Sequence, residues 1–185
     1  MHEQLYKITG AATYIGECSQ MLMNNYKKDA FAVLDTTVRP YFAQVLVDYK
    51  VVAPQELTDA TFFYATFAQH CGVADPMFLY SSCATFAEIA LWSEADLHDL
   101  RQNLGYGIGV FAKLLPPDAF KSLLPKCMEA LELFFSNPEA QSEDVLPVTE
   151  NALTSYGILA LFHTKDASHV TKFLGALPLK GEAES

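Results

Sequence analysis

DLHDLRQNLGYGIGVFAKLL, from Asp96 to Leu115, is the stretch on which the fold turns. Leu97, Leu100, Leu104, Ile108, Phe111 and Leu115 recur at helical spacing and form one apolar stripe. Beside the stripe runs a track of very small residues, Gly105, Gly109 and Ala112. A glycine inside a helix costs about 1 kcal/mol relative to alanine, so a pair spaced four apart needs compensation. Close approach of a neighbouring helix supplies it, because a missing Cβ lets two backbones pack tightly. Ser93 with Asp96 three residues later resembles a capping box, and Pro116-Pro117 ends the element.

Outward from this stretch the small-residue pattern recurs. Leu104-Gly105 with Ile108-Gly109 is matched by Ala11-Ala12 with Ile15-Gly16 and by Ala152-Leu153 with Tyr156-Gly157, and more weakly by Phe63-Tyr64 with Phe67-Ala68. Successive registers lie 52 (Gly16 to Ala68), 41 (Ala68 to Gly109) and 48 (Gly109 to Gly157) residues apart. One further helix is expected between each pair of copies. Two of these intervening segments carry an internal proline in the same place, Pro40 in VRPYFAQVL and Pro125 in LLPKCMEAL. A repeat of about 40 to 50 residues with two helices per unit predicts an all-α HEAT-type solenoid. In such a fold the helix bearing the small residues is sandwiched between units, with Gly16, Ala68, Gly109 and Gly157 at equivalent packing positions and Gly105 beside Gly109. The other helix of each pair tolerates a proline kink.

Helical periodicity places elements at about 3–26, 31–51, 55–70, 76–92, 94–115, 118–135, 145–163 and 167–177, within a single solenoid piece spanning residues 1–185. Leu5, Ile8, Ala12, Ile15 and Met23 are inward candidates of the first helix. Asp75-Pro76 is a cap followed by proline at the first helical position. No segment shows sustained strand alternation between hairpin turns.

Composition sets the outer bounds. The 185 residues are 51% hydrophobic, 12% aromatic and 18% charged, enough to bury a substantial core and far from a disordered composition. The formal net charge of −10 argues against a general nucleic-acid binder, which must neutralise phosphates with lysine and arginine. It suits a basic protein partner, and it also favours solubility. MHEQLYKITG has no basic region followed by an apolar run, and the apolar-rich stretch from Asn151 to Thr164 is too short to span a bilayer. A soluble intracellular chain without membrane association is expected. Cys18, Cys71, Cys83 and Cys127 are widely separated, which suits buried reduced thiols better than a disulfide frame or a zinc site.

The chemistry-bearing motifs are few. Gly105-Tyr106-Gly107-Ile108-Gly109 has the look of a nucleotide-binding loop, but that loop follows a buried strand, whereas an amphipathic helical segment precedes this one. The histidines His70, His98, His163 and His169 lack metal-ligand spacing. Ser81 and Ser82 have no nearby base, and Glu143-Asp144 falls in a polar loop where solvation explains it. No enzyme activity, cofactor or metal is expected. The remaining candidates are surface groups at or just before the starts of the small-residue helices: Asp59, Asp99 with Arg101, and Glu150 with Asn151. The helix dipole alone stabilises acids there; the functional alternative is a face that meets a basic partner.

RQNLGYGIGVFAKL (Arg101 to Leu114), the proline-bearing segment after it, and VTENALTSYGILAL (Val148 to Leu161) resemble the karyopherin-β, or importin-β, nuclear transport receptors. The similarity is greatest to the C-terminal HEAT repeats of the subgroup that imports ribosomal proteins and histones. ALPLKGEAES (Ala176 to Ser185) is similar to the family's short LPL-plus-acidic segment, and Lys7 to Phe42 fits the preceding repeat more loosely. Leu104 and Gly105 stand where the family commonly has alanines, and Val52 to Tyr80 matches only in pattern. The resemblance implies a piece of a longer receptor that holds basic cargo, answers to the Ran GTPase through the full-length protein, contacts nucleoporins, and works in cytoplasm and nucleus. The family's principal Ran- and signal-binding repeats lie upstream, so none of their residues carries over. A piece of a solenoid should expose apolar terminal faces and self-associate through its first or last helix. The alternative from another class is a HEAT scaffold subunit of a protein complex such as a phosphatase.

Overall fold

The computed structural model describes residues 11–164 and 166–177, and among them every regular element is helical. The chain forms an all-α, repeat-like fold whose contacts divide it into two compact units, Met1–Ala74 and Asp75–Ser185. The expected positions Leu5 and Ile8 and the segment after Leu177 lie outside the described residues.

In the first unit, α1 (Ala11–Tyr26) leads through a 3-10 turn (Lys27–Ala30) into α2 (Phe31–Thr37), α3 (Arg39–Val47) and α4 (Pro54–His70). Helix α4 packs against both α1 and α3. The core is aromatic: the Phe42 and Phe63 rings lie 5.1 Å apart, Phe63 stacks on Phe67 at 5.4 Å, and Phe67 stacks on Phe31 at 5.4 Å. Ring pairs at such separations add to the area they bury. The chain leaves α4 through Gly72, whose φ of +67° is the left-handed ending that glycine adopts freely. The stem of Lys28 lies over Gly72, at 2.9 Å from where a Cβ would stand.

The single helix expected over 31–51 is two. α2 ends at Thr37 and α3 restarts at Arg39, so Pro40 sits in the first turn of a new helix and does not kink an old one. Pro125 does the same in the second unit. The helix expected over 118–135 is a short α7 (Pro117–Phe120), a turn, and α8 (Leu124–Phe135), with Pro125 again in the first turn. The physical reason is shared. First-turn N–H groups have no intrahelical acceptor, so a residue without an N–H loses nothing there.

The second unit also contains α5 (Pro76–Trp92), α6 (His98–Leu114), α9 (Leu146–Phe162) and α10 (Ala167–Gly175). Asp75 caps α5, its carboxylate accepting from the Met77 N–H at 2.9 Å, and Asp166 caps α10 through Ser168 N–H at 2.9 Å. Helix α5 pairs with α6 and α8 with α9; α5 stacks on α8, α6 stacks on α9, and α10 lies on α9. Phe86, Ile89, Leu104, Ile108, Phe111, Phe120, Leu131, Phe134, Tyr156 and Leu159 fill the space between them. Each fully buried large apolar side chain is worth about 1.5–3 kcal/mol. The loop before α9 is pinned by Thr149, whose buried hydroxyl donates to the Ala140 carbonyl at 2.8 Å.

Ser93 and Asp96 do not form the expected capping box. α6 begins later, at His98, and Leu97 occupies its N-cap without a side-chain bond. Ser93 instead closes α5: its hydroxyl donates to the Ala90 carbonyl at 3.0 Å.

Candidate functional site

In each unit, small-residue helices meet directly: α1 with α4, and α6 with α9. The α6–α9 seam is the more closely built. Asn151 Nδ2 donates to the Gln102 carbonyl at 3.4 Å, Ser155 Oγ to the Gly105 carbonyl at 2.7 Å, and His163 Nε2 bonds the Ala112 carbonyl at 2.7 Å. These contacts rise together along both helices, so α6 and α9 run in the same direction. A carbonyl acceptor requires the proton on Nε2 of His163, which leaves Nδ1 buried with no hydrogen-bond partner among the described residues.

The seam explains the glycines unequally. A Cβ on Gly109 would press into Ser155, lying 3.0 Å from its Cβ and 3.3 Å from its Cα and overlapping the hydroxyl. At Gly105 the facing atoms are the Ala152 backbone, with the nitrogen 3.4 Å away. Gly157 is met by the ring of Phe173 at 3.1 Å, a side chain of α10. Gly16 meets only Asp59 Cβ at 3.9 Å, ordinary contact distance, so its position in the register does not demand glycine. Ala68 is fully buried in α4.

The surface candidates separate in the same way. Asp99, in the first turn of α6, and Glu150, in α9, are exposed at the same end of the seam. Asn151 is half-buried beside them. Arg101 was expected on this polar edge and is not there. It is 7% exposed, its Nε and Nη2 donate to the Ser93 hydroxyl at 3.1 Å and the Ser93 carbonyl at 2.5 Å, and its guanidinium lies 5.1 Å from the Phe134 ring centre. Burial works against its charge, and Asp96 partly offsets that. Arg101 ties α5, α6 and α8 together. Asp59, in the other unit, lies beyond the first turn of α4 and is half-buried, its carboxylate accepting from Thr13 at 2.9 Å and Gln55 at 3.1 Å.

The structure adds acids that the sequence reading did not single out as candidates: Glu143 and Asp144, read in a polar loop, and Glu94 and Asp96, read within the helix expected over 94–115. Glu94 and Asp96 precede α6, Glu143 and Asp144 precede α9, and all four are exposed. With Asp99 and Glu150 they gather at the N-terminal ends of two parallel, adjacent helices. The signal was available in the sequence: an acidic pair stands just before each of these helices. Lys113 lies toward the opposite end of the seam, in a shallow groove of about 70 Å³ that Tyr106, Thr154 and Ile158 also line.

A polar cluster holds the last described helix. The Tyr156 hydroxyl donates to Glu132 Oε1 at 2.8 Å and pairs with His169 Nδ1 at 2.8 Å, while Lys172 Nζ reaches Glu132 Oε2 at 2.5 Å. Burial and the adjacent Glu132 charge push the Tyr156 phenol well up. For Glu132, burial opposes the charge, but hydrogen bonds from Lys172 and Tyr156 and the nearby Lys172 and His169 outweigh it and hold the carboxyl below its usual range. In the α5–α8 contact, Cys83 and Cys127 bring their sulfurs to 3.7 Å, and the hydrogen bond between them together with burial raises the Cys83 thiol well above its usual range. Cys18, expected to be buried, is exposed on α1. No cluster of three or more metal-ligating side chains occurs among the described residues, and no described helix is long and apolar enough to cross a membrane.

Compared with protein-family models, with curated proteins and with solved structures, the chain finds no match.

Proposed function

We propose that this chain is a HEAT-repeat segment of an importin-β-like transport receptor and that it works by holding a basic protein, with no chemistry of its own. The observation that carries this reading is the acidic edge at the α6–α9 seam. Glu94, Asp96, Asp99, Glu143, Asp144 and Glu150 are exposed around one end of two parallel helices. The edge presents these exposed carboxylates to a lysine- or arginine-rich surface. The rigid glycine seam beneath fixes the spacing of the two acidic helix ends. The resemblance of Arg101 to Leu114 and Val148 to Leu161 to the C-terminal repeats of that receptor family points to the same class of partner. Arg101 drops out of the binding set because its head group is bonded inside the unit.

The test is a pull-down on immobilised protein with histones or ribosomal proteins as cargo, with and without GTP-loaded Ran. Capture of basic cargo that weakens as salt rises supports the reading, and loss of cargo on adding GTP-loaded Ran extends it to receptor behaviour. Failure to retain basic cargo at low salt refutes it.

A further inference from the structure

Two of the four cysteines meet inside the second unit. Cys83, in the middle of α5, and Cys127, near the start of α8, are both fully buried, and their sulfurs lie 3.7 Å apart. Polar contacts at the surface of the same helix pair hold the approach. The Tyr80 hydroxyl and Ser122 Oγ are 3.0 Å apart, and Lys126 Nζ lies 3.7 Å from Glu88. Bonded sulfurs stand about 2 Å apart, so this pair is within about 2 Å of a disulfide. A buried cysteine by itself packs as a small hydrophobe. Two that face each other at this distance also share a two-electron reaction.

The placement gives that reaction a consequence. α5 and α8 belong to successive helix pairs, α5–α6 and α8–α9, so a bond between them would tie one pair to the next. It would close a loop spanning 44 positions of sequence. Cys18 and Cys71 lie in the other unit.

We propose that Cys83 and Cys127 form a redox clamp, in which a peroxide oxidises them to a disulfide that locks α5–α6 onto α8–α9. One sulfur, as thiolate, attacks a peroxide oxygen; the O–O bond breaks, water leaves and a sulfenic acid remains. The second sulfur attacks the first as its proton leaves. The S–S bond forms, the S–O bond breaks and the oxygen departs as a second water. Two thiols lose two electrons in all, and the peroxide is reduced to two waters. The hydrogen bond with Cys127 and burial hold Cys83 in its thiol form, so reaction waits until α5 and α8 part locally.

The test treats the full-length chain with hydrogen peroxide, alkylates the remaining thiols in urea and maps linked peptides by mass spectrometry. A Cys18→Ser/Cys71→Ala variant keeps only the pair and removes the other thiols from the reaction. The expected product, in wild type and variant, is an intramolecular link between Cys83 and Cys127. Closing this loop should raise the melting temperature by about 10 °C, and reduction in urea followed by refolding should reverse the rise. Cys83→Ala in the same background should give neither the link nor the rise. The proposal is overturned if the folded wild type keeps both thiols alkylatable after Cys18 is consumed. Oxidation to separate sulfinic acids overturns it too, as does a linked protein that melts no higher than the reduced one.

Discussion

Arg101 shows how a charge that reads as surface becomes structure. In the sequence it stands two residues from Asp99, yet on a helix that spacing turns it to the opposite side, toward α5 and α8, where the Ser93 carbonyl and hydroxyl and the Phe134 ring absorb its donors and its face. Arg101→Ala leaves the Ser93 groups short of a partner and opens space beside Phe134. A loss of about 2–3 kcal/mol in urea unfolding is expected, with binding of basic partners unchanged after correction for the folded fraction. Tyr156 plays a comparable part at the other end of the unit. Tyr156→Phe keeps the buried ring and removes the hydroxyl shared by Glu132 and His169, and should cost about 1–2 kcal/mol. The Glu132 carboxyl titrates lower in the folded chain than in the unfolded one. Its contribution is therefore full above the ordinary glutamate value of about 4.3 and is lost as pH falls through the depressed folded value. Melting temperatures measured down the acid limb should drop less steeply in Lys172→Met than in the wild type, because that variant has less of this contribution to lose.

Between helices, the glycines make opposite predictions from what looks like one motif. Gly109→Ala drives a Cβ against the Ser155 backbone and hydroxyl, so an overpacking cost of about 1–3 kcal/mol exceeds the gain of about 1 kcal/mol in helix propensity. Gly16→Ala meets only Asp59 Cβ at 3.9 Å, so it keeps the propensity gain and should stabilise by up to about 1 kcal/mol. Chemical denaturation of both variants should rank Gly16→Ala above the wild type and Gly109→Ala below it. The repeat register was legible in the sequence because close packing against Ser155 excludes a side chain at Gly109, and that exclusion shows in residue identity. It could not reveal that Gly16 is loosely contacted, since the spacing of small residues is blind to distance. The prolines were legible as breaks in pattern, but not as starts. Pro40 and Pro125 read as kinks because the apolar periodicity runs on across the turns before them. Arg101 was misplaced because it was grouped with Asp99 by nearness in sequence, whereas Arg101, Leu104 and Ile108 stand at i, i+3 and i+7 and share the buried face. The acidic edge was half legible, Asp99 and Glu150 from their helices, Glu143 and Asp144 only after the fold brought two helix ends together.

At the scale of the second unit, the parallel helices α6 and α9 hold their exposed acidic ends at one side of a close-packed seam. Binding of a basic partner to such an edge is driven by charge, so it should weaken as salt screens the carboxylates over a Debye length of about 10 Å at 0.1 M. Reversing two charges on exposed positions changes this field without touching the core, which separates recognition from stability. Asp99 and Glu150 are suited to that test because both are exposed and lie at the same end of the seam. The decisive measurement is a fluorescence-anisotropy titration of a labelled lysine- and arginine-rich peptide with the wild type and with the Asp99→Lys/Glu150→Lys variant at low salt. Saturable binding by the wild type, weakened at least about tenfold in the variant, is the expected result; equal affinity in the two proteins, or no binding by either, would contradict the assignment of the acidic edge to a basic partner.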